Sequence, residues 1–172
     1  MARIPYADPT RPELAALAER ITRERGGRML NLYRMLLNSP PVAEGWLALF
    51  TAIRQQAKLA DRYRELATLR VAVLNRADYE FEAHVPFALK AGVTQAQLDA
   101  MRAGRRPEGL EEADRAVLDY TEAMTRDIRV DDALFARIRR HFDDQETVEL
   151  TATIAGYNLV SRFLEAMRID HD

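Results

Sequence analysis

The sequence predicts an all-α fold of about eight helices, compact and of a single domain spanning residues 1–172. Three observations lead there. Apolar residues recur at three- and four-residue spacing, no segment reads as a strand, and the composition is that of a globular helical chain, with 48% hydrophobic and 30% charged residues and only seven Gly and seven Pro among 172.

Each element has a local reason. Thr10 with Glu13 fits a capping box, Pro12 falls in the first turn, and Leu14, Leu17, Ala18 and Ile21 mark one face of a helix that Gly26-Gly27 ends. Asn31 to Asn38 reads as a short helix broken at Ser39. Pro40 and Pro41 open the next helix, because the N–H they lack would be unpaired in a first turn anyway. That helix carries Val42, Trp46, Leu49, Phe50 and Ile53; Tyr33, Trp46 and Phe50 suit a core or an interface equally. Asp61 can cap a segment to about Asn75 with Leu66, Leu69 and Val73 at helical spacing. After a short break, Tyr79 to Ala91 carries Phe81, Val85, Ala88 and Leu89, with Gly92 as its stop. Thr94 with Gln97 opens a short helix through Met101, and Ala103 to Gly109 is a loop. Glu111 to Thr125, Asp132 to Phe142 and Gln145 to Met167 complete the helices. The last is capped by Asp143 with Glu146, and Val148, Ala152, Ala155 and Leu159 form its apolar stripe.

Composition removes several functions. With no cysteine, the chain offers no disulfide, thiolate nucleophile, Cys-ligated zinc or iron–sulfur cluster. A net charge of -2 gives no field toward nucleic acid, and the basic runs Arg137 to His141 and Arg105-Arg106 lie among acidic residues, so no nucleic-acid partner is expected. No stretch approaches the roughly 20 apolar residues that span a bilayer, and MARIPYADPTRPEL lacks a signal-peptide core; a cytoplasmic protein without a membrane partner is expected.

One constellation could carry chemistry. Glu80 and His84 are four apart on one helix and share a face, at about 100° and 60° from the Phe81/Val85/Ala88 stripe, which places them at the edge of the buried side. Glu65 lies about 80° from the stripe of the preceding helix, so two adjacent antiparallel helices could unite all three. Two carboxyls in a partly dry cleft cannot both ionise cheaply, so one should hold a proton near neutral pH; the imidazole and the Tyr79 hydroxyl are further proton carriers. An ordinary surface Glu–His pair has the same spacing. Arg70 suits a structural pair with Glu65 or another internal carboxylate, whereas Arg162, about 40° from the last helix's stripe, suits either a buried pair or a clamp for a substrate carboxylate. A metal centre fits poorly: di-iron bundles use a Glu-x-x-His spacing and need more ligands than these, so neither metal nor other cofactor is expected.

The run RELATLRVAVLNRADYEFEAHVPFALKAGVTQAQLDAM, Arg64 to Met101, with GYNLVSRFLEAM, Gly156 to Met167, resembles the carboxymuconolactone decarboxylase family and its alkylhydroperoxidase-D-like relatives. The resemblance covers residues 28–168 and leaves 1–27 as an N-terminal extension. Thiol-active members carry a CxxC pair, a histidine four residues after the second cysteine and an upstream glutamate. His84 and Glu65 match the last two; Ala77 and Glu80 replace the cysteines, and Tyr79 falls where some members place another histidine. Neither alanine nor glutamate can be oxidised by a peroxide, so thiol peroxidase activity is not expected. The resemblance instead implies a cofactor-free decarboxylase-type lyase acting on a small carboxylic acid. In it His84 or protonated Glu80 delivers a proton, Glu65 sets their charge state, and Tyr79 and Arg162 bind substrate. It also implies a homo-oligomer, a trimer or hexamer as is common among relatives, or a dimer. The alternative is a binding or assembly protein that lost the thiol chemistry.

Overall fold

A computed structural model describes residues 1–172. Nine α-helices and no strand are formed: α1 (Ala15–Glu24), α2 (Asn31–Leu36), α3 (Pro40–Thr51), α4 (Asp61–Asn75), α5 (Asp78–Lys90), α6 (Gln95–Arg102), α7 (Glu112–Arg126), α8 (Asp132–Arg139) and α9 (Asp144–Met167). A π-helical turn that the sequence did not announce, Ala52–Gln56, prolongs α3.

Local chemistry sets most boundaries. Pro40 and Pro41 occupy the first turn of α3. α6 opens on a full capping box, Thr94 Oγ1 accepting from the Gln97 N–H and Gln97 Oε1 from the Thr94 N–H. α9 does the same with Asp143 and Glu146 at 2.9 and 3.1 Å. Two expected caps fail. Asp8 Oδ1 accepts from both the Thr10 N–H and its hydroxyl, so Thr10 is held in a turn and α1 starts at Ala15 with no side-chain cap. Ala60, not Asp61, is the N-cap of α4; Asp61 sits in the first turn and receives Arg64 Nη1 at 2.8 Å.

The chain divides into two compact units, Met1–Gln56 with Phe163–Asp172, and Ala57–Arg162. The first buries Ile21, Leu37, Leu47 and Ile53 around Trp46, whose ring lies 5.4 Å from Phe50 and 5.3 Å from Phe163. Arg25 fastens it, donating to the Tyr33 hydroxyl, Thr51 Oγ1 and the Leu47 carbonyl. Tyr33, Trp46 and Phe50 are all buried, so core packing accounts for them.

The second unit is organised on α4, whose residues 64–69 are all buried. A helix enclosed on every side shows little amphipathic pattern, which is why its polar residues matter. Arg62 grips the buried Asp114 of α7 with Nε and Nη2 at 3.0 and 2.7 Å, and Arg70 Nη2 meets Glu122 at 2.6 Å. The α9 stripe read as core is in fact its outer face. Val148 and Leu159 are 67% and 46% exposed, while Thr147, Leu150, Thr153, Ile154, Tyr157 and Ser161 are buried.

Candidate active site

α4 and α5 are joined only by Arg76 and Ala77 and pack along one another. This brings Glu65 Oε2 within 2.7 Å of His84 Nδ1, both residues buried. Arg64 Nε donates to the other oxygen, Oε1, at 3.1 Å. A carboxylate so placed accepts a hydrogen bond from the Nδ1–H and fixes the ring orientation. Tyr157 of α9 packs edge-on against the same ring, centroids 5.0 Å apart, and Phe87 lies at 5.9 Å.

Glu80, one turn before His84, is only 2% exposed and has a different environment. Its Oε2 is 2.5 Å from Ser161 Oγ of α9, and its Oε1 has no hydrogen-bond partner. Burial pushes its carboxyl up to about 8, with only the Ser161 bond pulling the other way. Ser161 Oγ also lies 2.9 Å from the Tyr157 carbonyl, so its single proton is shared between that carbonyl and Glu80 Oε2. Near neutral pH the site therefore pairs a proton-loaded carboxylic acid with an oriented imidazole, the two components of acid–base transfer.

Glu80 and His84, expected at the edge of the buried side, are at its centre. The inner face of α5 is Glu80, Phe81, His84 and Ala88, and Leu89 turns outward. The reason for the raised pKa also differs: loss of water, not repulsion from Glu65, is the dominant cause. Tyr79 is half-buried in the first turn of α5. Arg162 is exposed and donates to Asn158, through Oδ1 at 2.6 Å and the carbonyl at 3.0 Å, rather than to Glu65, Glu80 or His84. Arg70 has Glu122 as its carboxylate. Ser161 and Tyr157 were not foreseen, although Leu150, Ile154, Tyr157, Ser161 and Leu164 follow helical spacing and offered a second stripe to α9.

Residues 40–123, which include Glu65, Glu80 and His84, match the model of the carboxymuconolactone decarboxylase family. The uncharacterized protein YnjA of Escherichia coli is 31% identical over 126 residues, 73% of this chain and 66% of that protein. In fold the chain is similar to the alkylhydroperoxidase AhpD core of an uncharacterized peroxidase-related protein from Ralstonia eutropha, with TM-score 0.83, 18% identity, and coverage of 99% of this chain and 92% of that one. It is similar also to a variant of the debrominase Bmp8 in complex with 2,3,4-tribromopyrrole, with TM-score 0.81, 18% identity, and coverage of 100% of this chain and 94% of that one.

Proposed function

Because this chain belongs to the carboxymuconolactone decarboxylase family, we propose that its second unit is a thiol-free acid–base site for cofactor-free loss of carbon dioxide from a small carboxylated acid, a lactone or an aromatic-pathway acid. The observation that carries this reading is Glu80. A carboxyl occupies the place of a family cysteine and is buried without a cation, so it is protonated at neutral pH. Oxidation chemistry is closed to that group, whereas proton donation is open.

In the proposed step the bond from the substrate carbon to its carboxylate breaks, and the electron pair moves onto that carbon and its conjugated carbonyl as carbon dioxide leaves. Glu80 then gives its proton to the carbon, and the resulting carboxylate recovers one from water or from His84. Glu65 acts through His84 by holding Nδ1, which makes it a positioning residue. No substrate carboxylate is assigned to Arg162, whose guanidinium faces solvent with Asn158.

The test is carbon dioxide release by the purified chain from a panel of carboxylated lactones and aromatic-pathway acids. Turnover is expected, with Glu80→Gln and His84→Ala each reducing it by about 10²-fold or more while circular dichroism stays unchanged. A second reading, ligand binding without chemistry, is favoured by the cover over the group: Glu80 is 2% and His84 5% exposed. It takes the place of the first if the acids bind but none is consumed, and His84→Ala leaves affinity intact. Consumption of hydroperoxide by the pure chain would overturn both.

A further inference from the structure

We propose that Arg64 is a positioning residue of this site: acting through Glu65, it keeps His84 a neutral base rather than an imidazolium locked in an ion pair. The three arginines of α4 point to this by contrast. Arg62 reaches Asp114 and Arg70 reaches Glu122, both on α7, so these two fasten one helix to another. Arg64 fastens nothing of the kind. Both its carboxylate partners lie on its own helix, Asp61 at 2.8 Å and Glu65 at 3.1 Å, although the residue is only 8% exposed. A charge taken out of water without tying two elements together exerts its effect on the charges beside it.

The sign of that effect follows from the order of the groups. Glu65 lies between the Arg64 guanidinium at Oε1 and the His84 ring at Oε2, 2.7 Å away. Burial pulls the Arg64 value down, but Glu65 and Asp61 outweigh it and hold it above the ordinary arginine value, so this cation is permanent. With Glu65 balanced in this way, a further proton on His84 would set two cations against one buried anion, which a water-poor interior opposes. Without Arg64 the carboxylate would draw that proton in, onto the ring or onto itself. The other titratable groups against the ring are Glu80 on the same face of α5, which burial keeps neutral up to about 8, and the Tyr157 phenol of α9, packed edge-on.

The inference deepens the acid–base reading of the site, but its readout is the titration of the protein with no substrate present, so either can fail alone. Of the three histidines, His141 and His171 are exposed, and ring carbon–proton NMR across a pH series therefore reads His84 against two internal references. The parent His84 ring should be neutral at pH 7. Arg64→Met should move the midpoint of its transition upward by about one pH unit or more, with His141 and His171 unmoved. Arg64→Lys keeps the charge and should stay within about 0.3 unit of the parent. Asp61→Asn removes the competing acid and should move the midpoint downward by about a few tenths of a unit at low salt. Its side chain is exposed, so this variant gives the sign even where Arg64→Met does not fold. The proposal is overturned if the parent ring is an imidazolium at pH 7, or if Arg64→Met leaves the midpoint in place or lowers it. It is overturned equally if Arg64→Lys raises the midpoint as far as Arg64→Met does, or if Asp61→Asn raises it.

Discussion

Glu65 and Glu80 lie on the two legs of one helical hairpin, are of one residue type, and are each 2% exposed, yet they are held in opposite ways. Glu65 has the Arg64 guanidinium on one oxygen and His84 on the other. Glu80 has a neutral hydroxyl on one oxygen and nothing on the other. Burial alone therefore does not set the charge of a carboxyl; the partners decide. The same loss of water that ions share in one case drives the other to keep its proton.

Removing the paired acid should have the largest effect. Glu65→Leu strips the buried Arg64 and His84 of their shared carboxylate and should cost about 3 kcal/mol or more in urea unfolding; a cost below about 1 kcal/mol would mean that the pair is not ionic. Next comes the pH dependence of Glu80. Its folded value is raised from 4.5 to about 8, so its contribution to stability is complete below pH 4.5 and is lost as pH climbs toward 8. Glu80→Gln has no such proton to lose. The variant should thus gain on the parent steadily as pH rises between roughly 5 and 8, read as the difference between their unfolding curves. A flat difference would show that Glu80 is already ionised at the lower end. The smallest effect is expected at Ser161→Ala, about 1–2 kcal/mol at pH 7 for one buried hydrogen bond. Because Ser161 opposes the upward push on Glu80, its removal should also carry the Glu80 transition to higher pH, visible in the carboxyl carbon signal of Glu80. A shift to lower pH would contradict the arrangement.

Much of this hairpin could be read from residue types and spacing: Glu65 and His84 meet as two neighbouring helices would bring them. The partner of Glu80 could not. Hydroxyl residues on the inner side of α9 satisfy themselves within the helix, Thr147 on the Asp143 carbonyl, Thr153 on Glu149 and Ser161 on Tyr157, so a polar-looking face is buried at little cost. Val148, Ala152, Ala155 and Leu159 then look like the core by contrast. Thr10 misled in a different way, since Asp8 competes for the groups a capping box would use. α4 gave a weak signal because enclosure leaves no polar side to define an apolar one.

The corner between α4 and α5 has a last consequence. Arg76 adopts a left-handed backbone, φ 56°, where glycine would be at ease, and only Ala77 separates it from the next helix. So tight a joint admits no slack. If one leg slid by a single helical turn, about 5.4 Å, the imidazole would lose its carboxylate altogether. The metre of the site is thus kept by two residues that carry none of its proton chemistry, and an insertion there would silence the pair while both helices stood.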